Sequence, residues 1–392
     1  MRVLHTSDWH LGHTLKEVAR EHEHAAFLAW LLETCEREEP DVLVITGDIF
    51  DSATPPASAE RMWFELLAAA RRRRPAMDIV AIAGNHDSPA RLGAASSVLR
   101  ELGVHVVGAL PRDDAGALDL SRILVPVAGG AGLVVAVPFL RPTDVPAEVD
   151  DPLAAVYCEA IDAARACRRA DQALIVLGHL YVTGAEPSLL SERRVSIGGQ
   201  ESASLRLFPD DVDYVALGHL HRAQRVGRES IRYAGAPLAL AIDEAHYRHQ
   251  VVVVDFDGGR MVSARAVEVP QTVGIARVTG TLAEVQAELA ALPVRGEGHA
   301  PYLEVVVVLD KPEPRLRTAI EAAVSGKHAR LVSLRVEMTG DGAALADRVS
   351  ARRLAELDPR DVFARLWARD HVEPPGEPIV AGFERLLREV ER

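Results

Sequence analysis

The stretch Val3-Leu4-His5-Thr6-Ser7-Asp8-Trp9-His10 decides the fold of this 392-residue chain. Here a short apolar strand runs directly into an Asp-x-His pair. Further apolar runs lead in the same way into Gly47-Asp48, Gly84-Asn85-His86, Gly178-His179 and Gly218-His219-Leu220-His221. Ligand-binding side chains gather at the carboxyl ends of strands in α/β sheets, and a glycine lets the backbone turn sharply there. The pattern therefore predicts an α/β protein with a polar site built from strand ends.

The residues at these strand ends are suited to metal binding. Those that offer oxygen or nitrogen ligand atoms are Asp8, His10, Asp48, Asn85, His179, His219 and His221. A single Asp-x-His or His-x-His pair is more often structural. A whole series of them is hard to explain by packing, because buried carboxylates and imidazoles are costly unless paired or metal-bound. Carboxylates and imidazoles without thiolates favour two divalent ions, Mn²⁺ first, with Mg²⁺ or iron as alternatives.

The composition narrows the possible functions. The formal net charge of −13 argues against a general nucleic-acid coat protein, which would be basic. It leaves an enzyme that acts on DNA open, because bound metals offset local negative charge. No apolar stretch reaches the ~18 residues of a membrane span, and the N-terminus turns polar too early for a signal peptide. We therefore expect a cytoplasmic protein without membrane contact.

Two further sequence features are ambiguous. The cysteines Cys35, Cys158 and Cys167 lack a Cys-x-x-Cys spacing, so we expect buried free thiols in a reducing compartment. The basic run at 71–74 consists of four arginines. It fits either a solvated helix C-terminus that complements the helix dipole or a contact with phosphate.

Secondary-structure signals predict three parts. Residues 1–270 alternate apolar strands with helices and indicate α/β layers with the character of a sheet sandwich. Helices are predicted at 21–36, 55–74, 89–102 and 152–170. Residues 271–340 are predicted to form a β-α-β-α-β unit, and Thr281 and Glu284 fit a capping box. Residues 341–392 are predicted to be helical arms, and their apolar faces include Trp367 and Phe383.

The motifs at the strand ends resemble those of the calcineurin-like metallophosphoesterases. Longer strings, at 5–12, 138–142 and 217–224, are more specific. They resemble the nuclease subunits of bacterial, archaeal and eukaryotic double-strand-break repair complexes. The resemblance implies a two-sheet sandwich flanked by helices in residues 1–270. It also implies a small capping domain at 271–340 that binds DNA, and C-terminal helical arms at 341–392.

The same resemblance implies roles for individual residues. One metal would be held by Asp8, His10, Asp48 and His221. A second would be held by Asp48, Asn85, His179 and His219. His86 would protonate the leaving oxygen or stabilise charge on the phosphoryl group, and Asp87 would either orient His86 or cap a helix. Archaeal and eukaryotic relatives carry a second active-site histidine where this chain has Asp51, so the role of that histidine does not transfer.

The resemblance finally implies partners and an activity. The activity is Mn²⁺-dependent hydrolysis of DNA in repair, recombination and replication: exonuclease at duplex ends, endonuclease on hairpins or single strands. The partner is an SMC-like coiled-coil ATPase, bound by the arms at 341–392, which could instead pack on their own core. A homodimer through 55–74 and 89–102 within a heterotetramer is also implied. The alternatives are a small-molecule phosphodiesterase or phosphatase with the same core motifs, and a non-enzymatic adaptor that tethers DNA ends.

Overall fold

The computed structural model describes residues 1–339, apart from 115, 142, 146–148, 150, 189–201 and 295, together with Trp367 and Phe383. The strands are β1 (Arg2–Thr6), β2 (Thr14–Leu15), β3 (Val18–Ala19), β4 (Val42–Thr46), β5 (Asp78–Ile82), β6 (Val104–Val107), β7 (Leu124–Val127), β8 (Gly132–Ala136), β9 (Ala173–His179), β10 (Tyr214–Gly218), β11 (Gln224–Val226), β12 (Arg228–Tyr233), β13 (Gln250–Asp257), β14 (Arg260–Glu268), β15 (Ile275–Thr281), β16 (Tyr302–Leu309) and β17 (Arg330–Met338). The α-helices are α1 (Glu21–Glu38), α2 (Ala57–Arg73), α3 (Pro89–Gly93), α4 (Ser96–Glu101), α5 (Pro152–Cys167), α6 (Leu282–Ala291) and α7 (Leu316–Val324).

The first sheet has six strands in the order β14-β13-β1-β4-β5-β6. β1, β4, β5 and β6 are parallel, and β13 and β14 continue the sheet in antiparallel register. All five residues of β4 are buried, as its unbroken apolar run predicts for a strand covered on both faces. Because β1, β4 and β5 run in the same direction, the polar residues that follow them leave the sheet at one edge.

The second sheet also has six strands, in the order β11-β12-β10-β9-β8-β7. Its central strands β8, β9, β10 and β12 are parallel, and β7 and β11 pair in antiparallel register. β9 and β10 are fully buried. The residues that follow these two strands, from His179 and from His219, also leave the sheet at one edge.

Alternating side chains of the first sheet enter two different cores. Val3, Val44 and Val80 pack with side chains of the second sheet in the layer between the sheets. Their neighbours Leu4, Leu43 and Ile79 pack against α1 and α2 on the other face. The buried face of α5 joins the core of the second sheet. The prediction of a two-sheet α/β sandwich flanked by helices is confirmed.

Three local expectations were wrong or incomplete. The predicted helix at 89–102 is two short helices, because Ala95 (φ −97°, ψ 6°) leaves the helical region between α3 and α4. Cys158 and Cys167 are exposed and only Cys35 is buried, since both lie on the face of α5 away from its buried side chains. The short hairpin of β2 and β3 was not predicted.

The arginine run at 71–74 forms the C-terminal end of α2. Arg71 donates to the backbone oxygens of Met77 and Pro75. Arg73 pairs with Glu36 at 3.2 Å and Arg74 with Glu39 at 3.5 Å. Of the four arginines, these three contact their own chain, which favours the interpretation as a helix terminus.

The chain divides into two compact units, one formed mainly by Met1–Ala276 and the other mainly by Arg277–Val294 and Glu304–Lys327. The predicted β-α-β-α-β order is found as β15-α6-β16-α7-β17, with a three-stranded sheet in the order β15-β16-β17. The capping box of Thr281 and Glu284 is present. The predicted boundary at 270 stays a prediction. The predicted arms at 341–392 lie outside the described residues, except for Trp367 and Phe383, which are helical and partly buried.

Candidate metal centre

The two sheets bring their polar edges together. The backbone N–H of His219, after β10, donates to Asp8 Oδ1 at 3.0 Å, after β1. His179, at the end of β9, places Nδ1 2.8 Å from the backbone oxygen of Thr46 in β4. Strand ends from both sheets therefore build one site, to which every predicted ligand residue contributes.

The loops at this site hold an unusual backbone. Asp8, His10, Asp48 and His219 have φ values of 54°, 48°, 47° and 98°, in the left-handed region that non-glycine residues rarely adopt. The strain is held by hydrogen bonds between the first two loops: Asp8 N donates to Gly47 O at 3.0 Å and His10 N donates to Asp48 O at 2.9 Å. Strained residues cluster at functional sites, where the surrounding structure fixes them.

Glycine is required at two positions because neighbouring atoms lie too close to the backbone to leave room for a Cβ. A Cβ on Gly84 would collide with Asp48 Oδ1, and a Cβ on Gly218 would collide with the backbone oxygen of Thr46. The sequence predicted a sharp turn at these positions. The structure shows that the missing side chain also makes room for a neighbouring strand end.

A first group of possible ligands is formed by Asp8, His10 and His221. One potential ligand atom from each residue lies within 4.8 Å of the others, and all three residues are buried. The rings of His10 and His221 are 5.2 Å apart. Asp48 Oδ2 lies 3.5 Å from His10 Nε2, so Asp48 borders this group.

A second group lies on the other side of Asp48. Asp48 Oδ2 is 3.3 Å from His179 Nε2, and ligand atoms of Asp8, Asp48 and His179 also lie within 4.8 Å of one another. Asn85 Oδ1 is 3.0 Å from both His179 Nε2 and His219 Nδ1. One oxygen of Asp48 therefore faces histidines of both groups, as a carboxylate shared by two cations would.

The donor set fits divalent cations. His10 Nε2 is buried and has no hydrogen-bond partner among the described residues. A buried polar atom without a partner is costly, and a cation held beside Asp48 would use its lone pair. Carboxylate, amide and imidazole ligands suit Mn²⁺, Mg²⁺ or iron better than they suit a thiophilic metal. The residues present therefore fit the two metals that the sequence predicts.

Burial and neighbouring charges shift the pKa values of three residues of the site. Burial alone would raise the pKa of Asp48, but His179 and the other histidines around it hold that pKa well below its usual range. Burial would lower the pKa of His179, but Asp48 outweighs it and raises the value to about 9. Burial, assisted by the charge of His179, lowers the pKa of His219 to about 3.

His86 stands beside the first group. Its Nδ1 lies 2.7 Å from the backbone oxygen of Asp51, and because a carbonyl only accepts, Nδ1 carries the proton. Its backbone N–H donates to Asp48 Oδ1 at 2.8 Å, and its ring packs 4.8 Å from that of His10. The site thus holds a half-buried histidine in a fixed orientation next to the candidate ligands.

Asp87 does neither of the two things expected of it. It accepts from the backbone N–H groups of Ile49, Phe50 and Gly84 at 3.2, 2.9 and 2.8 Å. Ser88 caps α3 instead, and His86 Nδ1 contacts Asp51. Burial and the nearby charge of Asp48 raise the pKa of Asp87 to about 6. Asp87 therefore ties the loop after β4 to the loop after β5.

Two neighbours of the site were not predicted from the sequence. Glu244 is fully buried and accepts from His221 Nδ1 at 2.7 Å. The side chain of Arg141 donates to the backbone oxygen of Asp87 at 3.0 Å. Arg141 belongs to a string that the resemblance had singled out, whereas Glu244 is an ordinary acidic residue in the sequence. Of the described helices, none has the length and apolar character needed to cross a bilayer.

Comparisons with known proteins agree with this fold. Residues 1–223 match the calcineurin-like phosphoesterase family. Residues 271–371 match a second family, described as the C-terminal domain of a type 5 capsule protein repressor (SbcD_C). The first match spans more than half of the chain and includes every predicted ligand.

Three curated relatives are named as the SbcD subunit of the nuclease SbcCD. The one from Rhodobacter capsulatus is 38% identical and covers 93% of this chain and 94% of its own length. The one from Escherichia coli K12 is 32% identical, with 95% and 94% covered. The one from Bacillus subtilis is 37% identical over 66% of this chain and 67% of its own length. The chain belongs to the calcineurin-like phosphoesterases and, within them, to the SbcD family.

Proposed function

We propose that this chain is a metal-dependent DNA nuclease subunit that cleaves phosphodiesters under the control of an ATPase partner. The observation that carries the proposal is the shared carboxylate, since Asp48 Oδ2 lies 3.5 Å from His10 Nε2 and 3.3 Å from His179 Nε2. Two cations held on either side of one carboxylate are the arrangement of two-metal phosphoesterases. The curated relatives are named as nuclease subunits, which supports a nucleic acid as the substrate.

In this proposal the ligand sets of the two metals have Asp48 in common. The first is held by Asp8, His10, Asp48 and His221. The second is held by Asp48, Asn85, His179 and His219. Mn²⁺ is the proposed ion, with Mg²⁺ or iron as alternatives that the same ligands accept. The chemistry supplied by two ions bound here would be activation of water and stabilisation of charge on the phosphoryl oxygens.

His86 is the proposed acid. With its proton on Nδ1 donated to the backbone oxygen of Asp51, the ring presents Nε2 as its other polar atom. A proton held at Nε2 would pass to the leaving oxygen, or would form a hydrogen bond that stabilises charge on the phosphoryl group. The contacts with His10 and Asp48 keep the ring in place, so that binding substrate need not reorient it.

The test is hydrolysis of linear duplex DNA, a DNA hairpin and bis-p-nitrophenyl phosphate by the purified chain. Each reaction is run with Mn²⁺, Mg²⁺ or chelator. His86→Ala is expected to lower the rate by about 10²- to 10⁴-fold, the usual contribution of general acid–base catalysis. His105→Ala is the matched control, because His105 is a half-buried histidine on β6 outside the site.

The outcomes separate the candidate functions. DNA cleavage that needs a divalent metal and His86 supports the nuclease, and its metal preference identifies the ion. Cleavage of the small diester alone, also after the ATPase partner is added, would support the small-molecule phosphodiesterase instead. Unchanged DNA cleavage by His86→Ala would contradict the role given to His86. Binding of the ATPase without any metal-dependent hydrolysis would favour a tethering adaptor.

We further propose an assembly. The partner would be an SbcC-type coiled-coil ATPase, docked on the helical arms at 341–392, and the capping domain at 271–340 would contact DNA. A homodimer within a heterotetramer would form through α2 and the α3–α4 region. Exposed apolar side chains there support a covered surface: Phe64, Val98 and Leu102 are 47%, 66% and 51% exposed. The cytoplasmic location stays a prediction.

A further inference from the structure

The histidines of the first group share a feature beyond their position beside the candidate metal. On the ring edge away from that site, His10 Nδ1 lies 3.2 Å from Asp51 Oδ1. His221 Nδ1 lies 2.7 Å from Glu244 Oε1. An ionised carboxylate only accepts hydrogen bonds, so each ring carries its proton on Nδ1. Both rings therefore offer the Nε2 lone pair as a ligand.

Among the residues that the structure describes, no carboxylate stands behind the histidines of the second group in this way. His179 Nδ1 contacts a neutral acceptor, the backbone oxygen of Thr46, at 2.8 Å. His219 Nδ1 faces Asn85 Oδ1 at 3.0 Å, the oxygen of an uncharged amide. The two groups thus differ in the charge that stands behind their histidines. A carboxylate behind a ligand histidine fixes the ring and strengthens it as a donor to a metal.

Glu244 is built into the fold for this contact. It is fully buried, and its other oxygen accepts from the backbone N–H of Leu240 at 2.7 Å. A buried carboxylate is costly unless its oxygens are paired. These two hydrogen bonds, one from the backbone and one from His221, fix the orientation of Glu244 behind that ring.

Asp51 makes two contacts on the opposite side of the first group. Its carboxylate receives His10 Nδ1–H and its backbone oxygen receives His86 Nδ1–H. Its side chain is 35% exposed, so a substitution there disturbs packing less than one at Glu244. A carboxylate at this place adds negative charge beside the first metal site.

We infer that Glu244 and Asp51 are positioning residues for the first metal, and that they make its site the tighter of the two. The inference rests on the ligand sets of the proposed function. It predicts ordered filling: one divalent cation binds among Asp8, His10, Asp48 and His221 before a second binds beside Asn85. Neither positioning residue belongs to the proposed ligand set of either cation.

The experiment is calorimetric titration of the metal-free full-length protein with Mn²⁺. Glu244→Gln and Asp51→Asn remove the charge and nearly keep the shape. Each is expected to weaken the tighter site by about 10- to 100-fold, the usual effect of losing such a partner, and to leave the weaker site unchanged. Glu304→Gln is the matched control, because Glu304 is also a buried carboxylate and pairs with Arg277 in the second unit.

A second readout does not depend on metal or activity. Long-range proton–nitrogen spectra of histidine-labelled, metal-free protein report which ring nitrogen carries the proton. Wild type is expected to show His10 and His221 protonated on Nδ1, and each variant is expected to lose that preference at its own histidine. Circular dichroism shows that the variants are folded, and the part-exposed Asp51 keeps the test valid if Glu244→Gln does not fold.

Unchanged affinity of the tighter site in a folded variant would overturn the inference, as would equal weakening of both sites or a wild type that binds no metal. DNA cleavage is measured in parallel on the wild type. The expected affinities without any DNA cleavage would contradict the nuclease and leave the inference standing. DNA cleavage together with unchanged affinities would contradict the inference alone.

Discussion

Asp48 and His179 lie at the ends of strands in different sheets, and Asp48 Oδ2 is 3.3 Å from His179 Nε2. Both side chains are almost completely buried. In the absence of metal, each stabilises the charged form of the other. The pair therefore joins the two sheets at the point where the candidate metals would bind, and it affects stability as well as chemistry.

The metal-free protein should lose stability above neutral pH through this pair. The folded-state pKa of His179 is raised to about 9 from 6.5, so the folded protein binds more protons than the unfolded chain between those values. The stabilisation is complete below pH 6.5 and is lost as pH rises through 9. Urea unfolding in chelator should show this fall in wild type, whereas Asp48→Asn should remove most of it. Parallel pH curves for the two proteins would contradict the assignment.

Asp87→Ala should destabilise the protein, although Asp87 is not one of the candidate metal ligands. It would leave three buried N–H groups, of Ile49, Phe50 and Gly84, without their acceptor. Each unsatisfied buried donor costs about 1–3 kcal/mol, so a loss of roughly 3 kcal/mol or more in unfolding free energy is expected from urea titration. DNA cleavage should fall with it, because the loops that carry Asp48 and His86 lose their tie. Asp144→Ala is the control. It removes the carboxylate that accepts a hydrogen bond from the Arg141 backbone N–H, and it should lower the unfolding free energy by less than Asp87→Ala does.

His5 should make the protein sensitive to acid. It is fully buried, with ring nitrogens 3.0 Å from Tyr214 Oη and Thr46 Oγ1, and burial lowers its pKa to about 3. The unfolded chain therefore takes up the proton first, and stability falls as pH falls from 6.5 toward 3. Between pH 7 and pH 5 this group alone should account for about 2 kcal/mol. His5→Asn should flatten the unfolding curve over that interval by this amount, and an unchanged slope would refute the prediction.

Phe64→Glu should separate the proposed homodimer. Phe64 lies on α2 and is 47% exposed, and a charge buried in an apolar interface is costly. Light scattering after gel filtration should give a dimer for wild type and a monomer for the variant. Val262→Glu on β14, at a 64% exposed position, should remain dimeric. A wild-type protein that is monomeric at all concentrations would remove the basis of the dimer proposal.

DNA binding by the isolated chain should be weak and depend little on salt. The net charge is −13, and Arg71, Arg73 and Arg74 are engaged by their own chain. Few phosphate contacts give a shallow salt dependence, because the slope is about −0.9 per contact on duplex DNA. Fluorescence anisotropy with His86→Ala protein and labelled duplex measures the slope without cleavage. A steep slope would mean that a basic surface has been overlooked.

The sequence allowed the fold and the candidate ligands to be predicted for a physical reason. Each candidate ligand follows an apolar run such as Val42–Thr46, whose unbroken apolar sequence predicts burial on both faces. At most of these positions a glycine precedes the ligand and allows the turn. The break between α3 and α4 could not be predicted in the same way. It depends on the backbone of a single residue, Ala95.

The residues around the ligands were less accessible to sequence reasoning. Glu244 lies 23 residues after His221, and nothing local distinguishes its carboxylate from those on the surface. Asp87 follows His86 directly, so a contact between the two was the simple expectation, yet its oxygens face the loop after β4. Tertiary packing decides both contacts, and pattern reasoning along one chain does not reach it.

The hydrogen bond from His219 to Asp8 joins residues that are 211 positions apart. A ribosome has therefore made more than half of the polypeptide before the last candidate ligands, His219 and His221, exist. A truncated or half-made product would carry Asp8, Asp48 and His86 but could not assemble the centre. The order of the candidate ligands along the chain thus delays completion of the proposed centre until synthesis is well advanced.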